Sequence, residues 1–148
     1  MVDGVWGMGD SPALRVEAPP VPYGLDDLDR LEIHGESLQL AEDIYVLTKS
    51  WPVEERYGMT SQARRAAVSI PSNLAEGVGR GYPGDLCRFT AIAIGSLYEL
   101  ETLLRLASRL EFMTNDSCQG MRARIHILAK RMHAFVNRIQ SRSSTHTP

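Results

Sequence analysis

The chain has 148 residues and a formal net charge of −2 at pH 7, which suits one domain with terminal extensions and selects no class of partner. The charge is unevenly spread: residues 1–55 carry twelve acidic and three basic side chains, and residues 56–148 carry thirteen basic and six acidic ones. Such asymmetry indicates an anionic partner or pairing between the two halves. The two cysteines, Cys87 and Cys118, are too far apart in sequence for a zinc motif and are typical of reduced thiols.

The N-terminal residues 1–25 are rich in proline and glycine and show no sustained hydrophobic period. We predict an irregular N-terminal arm there. The arm contains no basic segment followed by an apolar one, so it does not resemble a signal peptide. No apolar run approaches the roughly 20 residues of a membrane-spanning helix. We therefore expect a cytoplasmic protein with no membrane partner.

Residues 26–141 predict four helices in an up-down antiparallel bundle. The first is expected over 26–50, where Leu31, Leu38, Ala41 and Ile44 follow the helical period. It ends before Trp51-Pro52, because proline disfavours helix in the residue before it. The second is expected over 60–79, with Thr60 or Ser61 as its N-cap and Pro71 inside it.

The third and fourth helices are expected over 84–110 and 114–141. Both carry apolar residues at alternating spacings of three and four, which favours near-parallel bundle packing. Residues 142–148 are polar, and we predict a flexible tail there. The fold class is thus all-α.

The second predicted helix has two apolar or small-residue faces, whereas a surface helix of a monomer needs only one. Met59, Ala63, Ala66, Ile70 and Leu74 form the first face. The second face suits close packing against another copy of the chain, and we predict that it forms an oligomer interface. Its members are Ala67, Val68, Pro71, Ala75 and Val78.

Catalytic, cofactor and metal sites are not indicated. None of the four histidines lies three residues after a glutamate, as di-iron bundles require. The glycines of Gly77-Val-Gly-Arg-Gly81 follow a predicted helix instead of a strand, so they predict a helix end and not a nucleotide-binding loop. We therefore expect a protein that is not an enzyme and holds no cofactor.

The basic residues of the second half fall into two groups. Arg124, Arg131 and Arg138 are seven residues apart and form one stripe on the fourth helix. An acidic stripe on the first helix matches it, so these charges either pair, within or between subunits, or form a nucleic-acid surface. The acidic stripe consists of Asp29, Glu32, Glu36 and Asp43. The remaining basic residues have no obvious acidic partner and are freer to meet phosphate. We predict a nucleic-acid surface formed by Arg64, Arg65, Arg80, Arg122 and Lys130.

Several segments carry a family resemblance, above all Arg64-Arg-Ala-Ala-Val-Ser-Ile-Pro-Ser-Asn-Leu-Ala-Glu-Gly-Val-Gly-Arg80. This block, with shorter matches at 44–48, 55–58 and 93–101, resembles the four helix bundle protein family. Its members were first noticed as reading frames in intervening sequences of bacterial 23S ribosomal RNA genes. A more distant relative is the accessory variability determinant of diversity-generating retroelements, a basic pentamer that binds nucleic acid and a reverse transcriptase.

The resemblance implies an up-down four-helix bundle that assembles as a ring-shaped homo-oligomer, most simply a homopentamer. It also implies RNA or DNA as a partner, together with a reverse transcriptase or another nucleic-acid enzyme. The leading hypothesis is a non-enzymatic accessory factor of a ribonucleoprotein. The alternative is a structural scaffold ring that docks a partner protein without nucleic acid.

Overall fold

The computed structural model describes Asp27 and residues 31–144, and four long helices make up most of this part of the chain. These helices are α1 (Glu32–Thr48), α2 (Met59–Arg80), α3 (Pro83–Arg109) and α4 (Asn115–Ser144). A single 3-10 turn at Val53–Glu55 lies between α1 and α2. No strand occurs among the described residues. The predicted all-α class is confirmed, whereas the predicted arm over 1–25 lies outside the described residues.

The helices form a four-helix bundle in which each helix packs on two neighbours. Helices adjacent in sequence pack together, α1 meets α4 more sparsely, and the diagonal pairs α1–α3 and α2–α4 do not pack. Contacts across α2 and α3 run in opposite directions along the two helices, as the hydroxyl pair Ser69–Ser96 and the approach of Gly77 to Phe89 show. The predicted antiparallel neighbours are therefore present in this structure.

Gly77 allows α2 and α3 to pack closely. A Cβ atom at this position would lie 3.0 Å from the Phe89 Cβ and 3.2 Å from the Leu86 Cα. The second of these contacts is to backbone, so a side chain there would push the helices apart. The glycine that the sequence marks as a helix end thus serves as a packing residue inside α2, which continues to Arg80.

The second small-residue face of α2 is mostly buried within the single chain. Ala67, Pro71 and Val78 are buried, with Ala67 fully inaccessible, whereas Val68 is 42% exposed and Ala75 is half-buried. The expectation that a monomer would leave this face in water is therefore wrong for the three buried residues. The physical reason is that α2 lies between α1 and α3, so it needs an apolar arc wide enough for two neighbours.

The N-termini of α1 and α2 differ from their predicted form. Leu31 has extended backbone (φ −75°, ψ 100°), so the described α1 begins at Glu32 and is not continuous with Asp27. At α2 the helix begins at Met59, and neither predicted cap holds its first turn. Instead the Glu55 carboxylate accepts the Met59 N–H at 3.0 Å. An acceptor from the preceding turn satisfies this otherwise orphaned donor.

Left-handed residues end α2 and α3. Gly81 follows α2 with φ 78°, as glycine-terminated helices do. After α3 the same role falls to Glu111, whose φ is 61°. The Glu111 N–H bonds to the Ser108 carbonyl at 3.1 Å and the Phe112 N–H bonds to the Ala107 carbonyl at 2.8 Å, the paired pattern of a Schellman motif. A non-glycine residue in this conformation carries strain.

Candidate nucleic-acid interface

The surface between α1 and α2 contains two adjoining cavities, which we call the α1–α2 groove. The larger has a volume of about 440 Å³ and the smaller about 280 Å³. Both are lined by Arg56, Thr60 and Arg64. Their other lining residues are basic, hydroxyl-bearing or apolar: Tyr45, Thr48, Lys49, Trp51, Pro52, Val53, Ser61, Arg65, Val68, Ser69 and Ser72. Among the described residues, none with a carboxylate lines either cavity.

Arg64 is held in place at the centre of the groove by two residues of α1. Its Nε–H donates to the Thr48 Oγ1 at 2.9 Å. Its guanidinium carbon lies 4.7 Å from the centroid of the Tyr45 ring, a cation–π contact. The terminal amino groups make no hydrogen bond within the described part of the chain. Arg64 therefore presents a pre-positioned positive charge, with most of its donors available to a ligand.

Three further cations surround Arg64 and lack a counter-charge. Lys49, Arg56 and Arg65 are exposed, and none of their side chains makes a hydrogen bond or ion pair with another described residue. Glu76, the acid nearest to Arg65 in the helical pattern, instead pairs with Arg80 at 3.0 Å. Within the described part of the chain, the groove is therefore a concave surface whose four cations form no ion pair, and such a surface attracts phosphate.

The structure does not bring the five predicted nucleic-acid residues together. Arg64 and Arg65 lie in the α1–α2 groove, whereas Arg80 ends α2 beside Glu76 and the Phe89 ring. Lys130 is exposed on α4 and makes no ion pair with the described residues. The predicted surface is thus at least three separate places.

The expectation that Arg122 is free to meet phosphate is wrong, because a buried carboxylate occupies it. The Glu101 Oε1 accepts the Arg122 Nε–H at 2.9 Å and the Arg105 Nε–H at 3.0 Å, and it lies 3.3 Å from the His126 Nε2. Burial raises the pKa of Glu101, but these hydrogen bonds outweigh burial and lower that pKa to about 2. The carboxylate is therefore ionised and fixes Arg122 to α3.

The predicted pairing between the stripes of α1 and α4 is confirmed for two arginines. Arg124 donates to the Asp43 carboxylate at 2.7 Å. Arg131 bonds to Glu32 at 2.7 Å and also contacts Glu36. These ion pairs join α1 and α4, which pack more sparsely than any other pair of neighbouring helices in the bundle. The stripe on α4 therefore serves the fold.

Within 31–144, no three or more of the His, Cys, Asp and Glu side chains cluster as metal ligands would. None of the described helices is both long and apolar enough to cross a membrane.

Comparison with known proteins identifies the family. Residues 29–134 match the family model described as 23S rRNA-intervening sequence protein. The chain belongs to this family. A crystal structure of a protein with unknown function from the S23 ribosomal protein family of Bacteroides thetaiotaomicron VPI-5482 is 21% identical to it, with a TM-score of 0.63. The match covers 70% of this chain and 97% of that chain, and at this identity it shows the fold alone. Among curated protein sequences, no match was found.

The predicted oligomer interface and the predicted nucleic-acid surface overlap at the larger cavity. Val68, predicted at an oligomer interface, lines the same cavity as Arg64 and Arg65, predicted to bind nucleic acid. Tyr45 is not among the predicted site residues, because its contact with Arg64 joins two helices. A signal was present for Arg56, which lies in the connection before α2 and has no acidic residue three or four positions after it.

Proposed function

We propose that this protein is a non-enzymatic nucleic-acid-binding factor that binds phosphate backbone through the α1–α2 groove. The observation that supports this is the set of four cations in and around two cavities that no carboxylate lines. One of them, Arg64, is already held in position by Thr48 and Tyr45. Contacts of this kind supply affinity without reading sequence, because phosphate is the same at every position.

A homo-oligomer, most simply a homopentamer by resemblance to the family, would repeat the groove around a ring. Repetition matters because a chain with a net charge of −2 attracts nucleic acid only locally. Exposed apolar side chains offer surface for such assembly. The most exposed on the helices are Leu38, Val46 and Ile127, at 51%, 62% and 59%. We propose that the assembled protein acts as an accessory factor in a ribonucleoprotein, with a reverse transcriptase or another nucleic-acid enzyme as its partner.

The test is a binding series with labelled RNA and DNA, each single- and double-stranded, from 50 to 300 mM salt. The variant Arg56→Glu/Arg65→Glu reverses two exposed groove charges whose side chains make no hydrogen bond or ion pair with other described residues. We expect it to weaken binding at least tenfold at 100 mM salt. The slope of log K against log salt should fall by about 1.5, since each lost phosphate contact removes roughly 0.7–0.9.

The matched control is Lys130→Glu/Arg138→Glu, which makes the same charge change on the exposed face of α4. It also tests the predicted role of Lys130. We expect this control to bind within twofold of the wild type. Equal weakening by both double variants would show a general charge effect and overturn the groove as the site. No binding at 50 mM salt with any of the four ligands would overturn the function.

The alternative, a scaffold ring without nucleic acid, is favoured by one observation, the position of Val68 in the groove. A second copy of the chain that packs on Val68 would cover Arg64 and Arg65. Light scattering separates the two accounts: Val68→Glu should dissociate the particle if the groove is an interface between copies. If the particle keeps its mass while nucleic-acid binding weakens, the groove is a ligand surface.

A further inference from the structure

We propose that the α1–α2 groove takes single-stranded nucleic acid in preference to a duplex, with a base stacked on Arg64 and phosphates on Arg56 and Arg65. This inference rests on the proposed function and names its ligand. It follows from where the cations lie and from what lies beneath the central one.

The charged surface of the groove is concave. Arg64 lines both cavities, so its side chain borders a concave surface on two sides. A duplex holds its bases stacked inside a wide rod and presents phosphates only on the outside. It can meet a ridge of cations, but it cannot place a base inside a cavity of about 440 Å³. A single strand can turn one base inward while its phosphates remain at the rim.

Tyr45 and Arg64 form a cation–π contact in the groove. The Tyr45 ring is 43% exposed, and the guanidinium carbon of Arg64 lies 4.7 Å from its centroid. The guanidinium therefore lies over the ring, and the bond from Nε to the Thr48 Oγ1 at 2.9 Å holds it there. Bases in single strands stack on aromatic rings and on guanidinium planes alike. The ring and the guanidinium together form a platform that a duplex has no free base to use.

The larger cavity has both polar and apolar lining residues. Val68 and Tyr45 give the larger cavity an apolar wall, and Ser61, Ser69 and Ser72 give it hydroxyl groups. A site that met only phosphate would need no apolar wall. A base has an apolar face and a polar edge, and the cavity offers surface for both.

The experiment measures fluorescence anisotropy of a labelled 12-nucleotide thymidine DNA, alone and annealed to its complement, at 100 mM salt. We expect the wild type to bind the single strand at least tenfold more tightly than the duplex. Tyr45→Leu should weaken single-strand binding by about 5- to 100-fold, the range found when one stacking residue is removed. It should leave duplex binding unchanged. Tyr45→Phe keeps the ring and should restore the wild-type affinity.

The salt dependence separates stacking from charge. Tyr45→Leu removes no cation, so its loss should be the same at every salt concentration, with an unchanged slope of log K against log salt. The matched control Tyr98→Leu makes the same substitution on α3, where Tyr98 is 50% exposed, and should bind like the wild type. A circular dichroism melt of each variant checks that the bundle is intact.

Two results would overturn this inference while the proposed function stands. One is equal affinity for single strand and duplex. The other is an equal loss of both ligands in Tyr45→Leu, which would mean that the ring only positions Arg64. If neither ligand binds at 50 mM salt, the proposed function fails as well, so the two failures are distinguishable.

Discussion

Replacing Glu101 with glutamine removes the carboxylate that Arg105, Arg122 and His126 contact between α3 and α4. Glutamine keeps the shape but leaves Arg122, Arg105 and His126 without that negative charge. The difference between the ordinary glutamate pKa of 4.5 and about 2 corresponds to roughly 3 kcal/mol. Arg105 and His126 are more than half exposed and therefore screened by solvent. We expect the free energy of unfolding at pH 7 to fall by about 2 kcal/mol, and the Tm by roughly 5–10 °C.

The pH dependence of this difference has a definite sign. The pKa of Glu101 is lower in the folded chain than in the unfolded one, so the folded chain releases its proton more readily. The stabilisation is complete above about pH 4.5 and is lost as the pH falls toward about 2. The wild type and Glu101→Gln should therefore differ most near neutral pH and converge in acid.

The assay is urea unfolding followed by circular dichroism at 222 nm, at pH 7, 4 and 2.5 and at two protein concentrations. Glu99→Gln is the matched control, because Glu99 lies on the same helix, is exposed and makes no ion pair with another described residue. It should change the free energy of unfolding by less than about 0.5 kcal/mol. The reasoning is refuted if Glu101→Gln unfolds like the control at pH 7, or if its deficit persists undiminished at pH 2.5.

Three further changes test the packing and the helix ends, with the free energy of unfolding as the measurement. Gly77→Ala should lower the free energy of unfolding by about 1–2 kcal/mol, because its new Cβ would meet the α3 backbone. The control Gly95→Ala, whose Cβ would have nothing within 4 Å, should raise it by about 0.5–1 kcal/mol. A stabilising Gly77→Ala with a destabilising Gly95→Ala would contradict the close packing at Gly77. Glu111→Gly should gain about 0.5–1 kcal/mol by relieving the left-handed residue, and a loss would mean that φ 61° is unstrained. Arg131→Ala should lower the free energy of unfolding by about 0.5–1 kcal/mol at low salt and by less at 1 M salt, because salt screens ion pairs. A loss of the same size at both salt concentrations would contradict an ion-pair role for Arg131.

The helices and most of the core could be predicted, because both follow from the spacing of apolar residues along one helix. Ala63, Ile70 and Leu74 were predicted on one face of α2, and all three are fully buried. Apolar spacing predicts burial wrongly where a residue keeps the helical period but lies beyond the surface that the neighbouring helices cover. Leu38 fits the period of α1, yet it is 51% exposed.

The candidate site could be predicted only in part, since it depends on how one helix is rotated against another. The bond from Arg64 to Thr48 joins residues 16 apart, and the bond from Arg122 to Glu101 joins residues 21 apart. No pattern within one helix shows that Arg64 finds a tyrosine and a threonine or that Arg122 finds a buried acid. Charge at helical spacing did predict the α1–α4 pairs, because both stripes follow the heptad along antiparallel helices.

The sparse contact between α1 and α4 has a consequence for motion in the native protein. Ion pairs at a solvated seam contribute little free energy, so α1 is retained mainly by its packing on α2. Amide hydrogens of α1 should therefore exchange through a partial opening that leaves α2 and α3 protected. Tyr45 and Thr48, which hold Arg64, belong to that helix. A ligand that spans both walls of the groove would close this opening, and it should slow exchange in α1 more than anywhere else in the chain.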